Sequence, residues 1–299
     1  MDDTIVTFFM IVTDFDAVVA DYAIRAFAKL GQMPFQLVVY PNSLSEASKN
    51  RYFAAWKSYP FVRIWEDAQP DIDVSSRNPS LAGPYEHCSS IWNRELRRIA
   101  SPYIATVDAD FEILNPRFVG AMLARLAASP NLIAISSDYS PTIERHLDPY
   151  SGTMMRLNQR WHTWFIIYRK KAFECPVSLG MHREQIPQSE AVDFWDSAGW
   201  FQSMLQRRYG CDLEAVDTAF RNDFIHYGAF SKNTRVNSNN VGLFRSAAIW
   251  KKRGFFARGD MIGRLWGFLL GVIFFHHHDR GKFIAGYKAE WPDGVDTYP

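Results

Sequence analysis

The sequence is poor in cysteine. It contains three, Cys88, Cys175 and Cys211, and no two of them have the close spacing that is typical of zinc sites. An odd number of widely separated cysteines does not make a disulfide framework, which small secreted domains commonly need. We therefore expect reduced thiols, as in proteins of the cytosol.

The sequence also lacks an excess of either charge and lacks a long apolar run. Lys and Arg number 33 against 32 Asp and Glu, so the composition predicts no nucleic-acid partner. No stretch reaches the roughly 20 apolar residues that a membrane-spanning helix needs, and the first residues are acidic, unlike a signal peptide. We expect neither a secreted nor an integral membrane protein, and we predict a cytoplasmic location.

Apolar and aromatic residues are plentiful, at 47% and 15% of 299 residues, which is enough for a sizeable core. Apolar runs typical of buried strands alternate with segments of helical periodicity, and this alternation predicts an α/β fold with a mostly parallel sheet between helices. The predicted strands are 4–12, 35–40, 61–65, 103–107 and 132–136, and the predicted helices are 16–30, 86–100 and one from Asn115-Pro116 to Pro130. In the less regular second half we predict strands at 161–168 and 215–226 and a helix at 193–208.

Two aspartates directly follow the predicted strand 103–107. Asp108 and Asp110 flank Ala109, and because side chains alternate along a strand, both carboxylates fall on one face. They also lie at the carboxyl end of the strand, where open α/β sheets bind ligands. Carboxylate oxygens at such a place suit Mg²⁺ or Mn²⁺ that also binds phosphate oxygens. A pair of solvated loop aspartates is the alternative interpretation.

The stretch from Asn93 through Tyr103-Ile104-Ala105-Thr106-Val107-Asp108-Ala109-Asp110 to Pro116 resembles the core of nucleotide-sugar glycosyltransferases of the GT-A fold, especially family 2. The resemblance implies a GT-A-like (Rossmann-like), mostly parallel central sheet flanked by helices, with an elaborated C-terminal half. It implies a catalytic domain at 1–250, with its nucleotide-binding half at about 1–136 and its acceptor half at about 137–250. The implied cofactor is Mn²⁺ or Mg²⁺, and the implied donor is a nucleotide sugar, for which we expect UDP as the nucleotide.

The same resemblance assigns candidate donor-binding and metal-binding residues. Asp108 and Asp110 are expected to bind the metal together with His226, at the end of the last predicted core strand, although a lone histidine is more often only packed. Neutral imidazole is a good ligand for Mn²⁺ beside carboxylates. The candidate donor-binding residues are Thr13, Asp14, Asp67, Asn93, Asp108 and Lys232.

A general base is expected near the start of the predicted helix 193–208. Sugar hydroxyls are very weak acids, so attack on the anomeric carbon needs a base within hydrogen-bond reach. The resemblance places a carboxylate here in that role, and we favour Asp196 over Asp193. Both residues could instead cap the helix and interact with its dipole.

Residues 251–299 form a predicted C-terminal extension of different character. Basic residues at 251–264 precede the short apolar run 265–275, which suggests either a core helix with a basic rim or an interfacial contact with an anionic membrane surface. The interpretation we favour is an inverting, metal-dependent glycosyltransferase whose acceptor is a glycan or a lipid-linked molecule. A sugar nucleotidyltransferase and a non-catalytic nucleotide- or glycan-binding protein of the same fold are the alternatives.

Overall fold

Apolar runs of the first half form strands, and the periodic segments between them form helices. The structure is a computed structural model, and it describes residues 4–14, 16–42, 44–65, 88–141, 143–147, 154–180, 182–185, 192–195, 197–227 and 240–252. The helices are α1 (Ala17–Ala26), α2 (Glu46–Lys57), α3 (Cys88–Glu95), α4 (Arg117–Ala128), α5 (Gly199–Arg207) and α6 (Val241–Lys252). The strands are β1 (Val6–Val12), β2 (Phe35–Pro41), β3 (Val62–Ile64), β4 (Tyr103–Asp108), β5 (Phe111–Ile113), β6 (Leu132–Ser136), β7 (Tyr139–Ser140), β8 (Glu144–Leu147), β9 (Met154–Leu157), β10 (Arg160–Trp161), β11 (Phe165–Arg169), β12 (His182–Gln185), β13 (Val192–Trp195), β14 (Asp212–Ala215) and β15 (Phe224–His226).

A seven-stranded sheet forms the centre of the fold, in the order β14-β6-β11-β4-β1-β2-β3. β1 pairs in parallel with both β2 and β4, β2 with β3, and β14 with β6. β11 lies between β4 and β6 and runs antiparallel to both. The prediction of a mostly parallel sheet flanked by helices is therefore confirmed, with one antiparallel strand in the middle.

Both faces of this sheet are buried, as the strand sequences predict. Phe8 and Phe9 are adjacent in β1 and each is fully buried, but they belong to separate apolar clusters because successive side chains point to opposite faces. Phe8 packs with Phe27 and Phe165 on one face. Phe9 packs with Tyr40 on the other. A sheet covered on both sides leaves only its strand ends for a ligand.

The described residues divide into two compact units. The first comprises the described residues within 4–140, 160–180 and 197–227, and it contains the central sheet. The second comprises the described residues within 141–159, 182–195 and 240–252. In the second unit, β8, β9, β12 and β13 form a four-stranded sheet in which β9 and β13 are parallel. Residues 253–299 lie outside the described residues, so the predicted extension at 251–299 stays a prediction.

Two predicted elements of the second half are wrong. Instead of one helix at 193–208, the chain forms β13, which pairs with β9 and β12, and then α5 from Gly199. Ala198 precedes α5 with a φ of 62°, and this left-handed conformation interrupts any continuous helix. Instead of one strand at 215–226, β14 and β15 are separated by a short 3-10 helix that Asp217 caps.

Helix α2 was not predicted. Trp56 is the one buried side chain of this helix, which reflects the weak apolar periodicity of its sequence. Ser45 caps the first turn through its side-chain oxygen, which accepts from Ser48 N.

Among the helices of the described ranges, none combines the length and the apolar character that crossing a bilayer requires.

Candidate metal centre

The aspartate pair lies at the carboxyl end of β4, a strand with neighbours on both sides in the central sheet. Asp108 ends the strand, and Asp110 follows two residues later. The side chain of Asp110 is 11% exposed and that of Asp108 is 36% exposed, whereas Ala109 between them is buried in the core. The alternation predicted from the sequence therefore holds, and both carboxylates face the same side of the strand end.

A short antiparallel ladder brings His226 to the aspartate pair. β15 pairs with β5 so that His226 lies opposite Phe111, directly after Asp110. The next backbone N–H, of Tyr227, donates to the carbonyl of Asp110 over 3.0 Å. The Tyr227 hydroxyl also donates to Oε2 of the buried Glu112 over 2.6 Å. These contacts fix the end of β15 beside the carboxylates.

The three side chains form a compact group of metal-ligating atoms. His226 Nε2 lies 3.1 Å from Asp110 Oδ1 and 3.4 Å from Asp108 Oδ2. One ligand atom from each residue lies within 4.8 Å of the others. Two carboxylates and an imidazole are suitable ligands for Mn²⁺, and also for Mg²⁺ when phosphate oxygens complete the coordination.

The charge balance of the group also fits a divalent cation. Burial alone would lower the pKa of His226, but Asp110 and Asp108 together raise it to about 9, so the ring is protonated at neutral pH and compensates for the carboxylates. A metal ion would replace that proton on Nε2. The residues present therefore fit the cofactor that the sequence pattern implies.

Asp16 adds a third carboxylate that the sequence analysis did not select. It precedes α1, after the end of β1, and its Oδ2 accepts from Thr13 Oγ1 over 2.7 Å. Burial and the charges of Asp110 and Asp108 raise the pKa of Asp16 to about 7, against the effect of the Thr13 hydrogen bond. Its position after the first parallel strand was the available signal, because such strand ends meet at one edge of the sheet.

The other described donor-binding candidates make structural contacts. Asp14 is exposed, and its Oδ1 accepts from both the backbone N–H and the hydroxyl of Ser45 at the start of α2. Asn93 in α3 donates to Ser178 Oγ over 2.8 Å and accepts from Leu179 N over 2.8 Å. Thr13 contacts Asp16 and so lies near the aspartate pair. Donor binding by Thr13, Asp14 and Asn93 stays a prediction.

Of the two candidate bases, only Asp193 lies in the described residues. It belongs to β13 of the second unit rather than to a helix start, and its Oδ1 lies 3.3 Å from Arg156 Nε of β9. Helix capping by Asp193 is therefore wrong, because that residue is in a strand. Asp196, together with the donor-binding candidates Asp67 and Lys232, lies outside the described residues. Their roles stay predictions.

Sequence reasoning also missed an aromatic stack beside the metal ligands. The indole ring of Trp164 lies between the rings of His226 and His162, at centroid distances of 4.2 and 3.9 Å. All three residues belong to the first unit. The strand 161–168 was predicted as a buried apolar run, and nothing in that pattern distinguishes a packed tryptophan from one that contacts a ligand.

Comparison with known proteins finds similarity at the level of solved structures. No protein-family model and no curated protein matches the chain. Among solved structures, it is similar to a mannosyltransferase from Pyrobaculum calidifontis in complex with GDP-Man and Mn²⁺, with 10% identity, a TM-score of 0.48, and coverage of 96% of this chain and 84% of that one. It is also similar to glucosyl-3-phosphoglycerate synthase from Mycobacterium tuberculosis with Mn²⁺ and UDP, with 12% identity, a TM-score of 0.42, and coverage of 84% and 81%. Because both TM-scores are below 0.5, we base the proposed function on the residues of the site.

Proposed function

We propose that the chain is an inverting, metal-dependent glycosyltransferase that moves a sugar from a nucleoside-diphosphate donor, with UDP as the expected nucleotide, to an acceptor hydroxyl. The observation that carries this proposal is the Asp108, Asp110 and His226 group at the carboxyl end of β4. The motif from Asn93 to Pro116, which resembles that of nucleotide-sugar glycosyltransferases, supports it.

Asp108, Asp110 and His226 would hold Mn²⁺ or Mg²⁺. When bound, the cation would supply positive charge to neutralise the nucleoside-diphosphate leaving group. On the protein side, His226 must release the proton on Nε2 that the two carboxylates hold there. A bound cation would favour the ionised form of Asp16, whose pKa is raised to about 7 by burial and by the charges of Asp110 and Asp108.

Donor and acceptor chemistry involves further residues of the proposal. Thr13, Asp14, Asp67, Asn93, Asp108 and Lys232 are the proposed donor-binding residues. Asp196, with Asp193 as the alternative, is the proposed base that takes the proton of the acceptor hydroxyl. A glycan or a lipid-linked molecule is the proposed acceptor class.

A panel of nucleotide sugars tests the proposal. We would incubate the full chain with UDP-, GDP- and other nucleoside-diphosphate sugars plus Mn²⁺ and measure release of the free nucleotide by chromatography. Slow release of a nucleoside diphosphate, lost in EDTA and in Asp110→Asn, is the expected result. The exposed Asp212 at the amino end of β14 provides a matched control, since Asp212→Asn removes one negative charge at the end of the strand away from the carboxyl edge of the sheet and should leave release unchanged.

Two results would contradict the proposal. In a parallel incubation with a sugar phosphate and a nucleoside triphosphate, formation of pyrophosphate would favour the nucleotidyltransferase alternative. Binding of a nucleotide sugar with no turnover in the presence of any acceptor or water would favour a non-catalytic binding protein. If transfer is found, the anomeric configuration of the product, read by proton NMR, decides whether the reaction inverts.

We also propose peripheral attachment to an anionic membrane surface through residues 251–275. The support is the sequence pattern alone, in which Lys251, Lys252 and Arg253 begin a basic segment before an apolar run. Co-sedimentation with anionic vesicles at low salt should be stronger than with neutral vesicles. A variant with these three residues changed to Glu should lose the difference, and equal recovery of the unchanged chain on both vesicle types would contradict the proposal.

A further inference from the structure

Three stacked rings end at the proposed metal ligand. The imidazole of His226 lies against one face of the Trp164 indole at a centroid distance of 4.2 Å, with 24° between the ring planes. The imidazole of His162 lies against Trp164 at 3.9 Å, with 19° between the planes. Trp164 thus stacks on both imidazole rings.

The far end of this stack is anchored to the protein. His162 is buried, its Nε2 lies 2.9 Å from the hydroxyl of Ser140, and its backbone N–H donates to the carbonyl of Asp138 over 3.0 Å. The carbonyl of His162 accepts from Ser136 Oγ over 2.7 Å. The contact with Ser140 and the backbone hydrogen bonds restrain the His162 ring, and the restrained ring limits the movement of Trp164.

The backbone of Trp164 contacts the aspartate pair as well. The antiparallel pairing of β11 with β4 continues one residue past Phe165 and Val107, so that Trp164 lies opposite Asp108. There the backbone N–H of Asp108 donates to the carbonyl of Trp164 over 2.9 Å. One residue therefore touches two of the three proposed ligands, one through its ring and the other through its carbonyl.

We propose that Trp164 is a positioning residue of the metal centre, whose ring fixes the plane of the His226 imidazole so that Nε2 points at Asp108 and Asp110. The inference rests on the proposed function, because it concerns the same three ligands. An imidazole binds a metal along the lone pair in its ring plane, so rotation about the Cβ–Cγ bond moves Nε2 away from the carboxylates. The Trp164 indole covers one face of the ring and opposes this rotation.

The alternative is that Trp164 only adds apolar packing to the core, which it also borders. A packing residue would lower the stability of the whole unit without a specific effect on His226. The two roles differ in one measurable respect: a positioning residue that acts through His226 loses its effect on metal affinity once His226 is gone.

A double-mutant cycle on Mn²⁺ affinity tests the inference. We would measure the dissociation constant for Mn²⁺ by the EPR signal of the free ion in the full chain, Trp164→Leu, His226→Ala and the double variant, each with UDP or GDP present. Partners that orient a metal ligand change metal affinity by about 10-fold or more. We expect Trp164→Leu to weaken binding by about 10-fold in the unchanged background and by less than about 2-fold in the His226→Ala background.

Two further variants make the result specific. Trp164→Phe keeps an aromatic ring against His226 and should reduce the loss from about 10-fold to about 3-fold. Trp161 is the matched control, since it stacks on Tyr139 at 4.6 Å in the same unit, and Trp161→Leu should leave the Mn²⁺ affinity unchanged. If Trp164→Leu does not fold by circular dichroism, the cycle is run with Trp164→Phe, for which we expect a loss of about 3-fold that again requires His226.

The outcomes separate failure of the inference from failure of the proposed function. An equal loss of affinity in both backgrounds, or no loss with a folded Trp164→Leu, would overturn the positioning role and leave the metal site intact. Absence of any Mn²⁺ binding to the unchanged chain would overturn the metal-dependent function, and the positioning role with it.

Discussion

Metal binding at the Asp108, Asp110 and His226 group should release a proton and should therefore strengthen steeply with pH. His226 Nε2 faces both carboxylates, and these raise its pKa to about 9. A metal ion needs the lone pair of the same atom, so it must displace the proton held there. Below the pKa of His226, the metal dissociation constant should fall close to tenfold per pH unit.

The size of this effect separates a perturbed histidine from an ordinary one. With a pKa of about 9 for His226, the fraction of neutral ring rises about 90-fold between about pH 6 and about pH 8, equivalent to about 2.7 kcal/mol of metal binding free energy. A histidine with its ordinary pKa of about 6.5 would give an increase of only about 4-fold over the same interval.

The assay is a Mn²⁺ titration followed by EPR at both pH values, without nucleotide, whose phosphates titrate in this range. Asp16, with its pKa raised to about 7, can add its own pH dependence, so the measurement is repeated in Asp16→Asn to remove that part. We expect about a 90-fold change in Asp16→Asn and almost none when His226→Ala is added. A change of about 4-fold or less in Asp16→Asn would refute the reasoning.

Three other predictions follow from particular contacts. Asp16→Asn should stabilise the metal-free protein at about pH 8 by about 4 kcal/mol, because a carboxyl whose folded pKa is raised from 3.8 to about 7 costs stability that grows as the pH rises through that window. Urea unfolding at about pH 4 and about pH 8 checks this, and an equal effect at both would contradict it. Tyr227→Phe removes the hydroxyl that donates to the buried Glu112, and it should lower the unfolding free energy by about 1–3 kcal/mol. Urea unfolding measures this, and an unchanged midpoint would show that the contact contributes nothing to stability. Asp196→Asn should lower sugar transfer by about 10²–10⁴-fold while leaving donor affinity intact, and the opposite ranking of Asp196→Asn and Asp193→Asn in a transfer assay would assign the base to Asp193.

The central sheet could be predicted because its strands are continuous apolar runs. β1, β2, β4 and β6 lie within a residue or two of their predicted bounds. The direction of β11 could not be predicted, since the run around Phe165 is compatible with either direction and only its pairing with β4 and β6 decides it.

The positions of the three proposed metal ligands could be predicted in part from the sequence. Alternation placed Asp108 and Asp110 on one face, and the structure brings His226 to them through the β15 and β5 ladder. Metal binding by these residues stays a prediction. The proposed role of Trp164 depends on its contact with His226, a residue far away in the sequence. The apolar run that contains Trp164 does not by itself predict this contact.

The strand at β13 shows how local signals fail. Asp193 and Asp196 have the spacing of an acidic helix start, but β13 gains its backbone hydrogen bonds from β9 and β12. Those partners lie elsewhere in the chain, and their pairing overrides the local preference for a cap. The helix therefore begins only after the left-handed turn at Ala198.

Calorimetric titration of UDP and GDP into the full chain, with Mn²⁺ and with EDTA, tests the central claim most directly. If the metal is held jointly by the protein and the donor diphosphate, each should raise the affinity for the other by the same factor. We predict clearly tighter nucleotide binding in Mn²⁺ than in EDTA for the unchanged chain, and no difference between the two conditions for Asp110→Ala. Equal nucleotide affinity in Mn²⁺ and EDTA for both proteins would contradict the metal site and the function proposed from it.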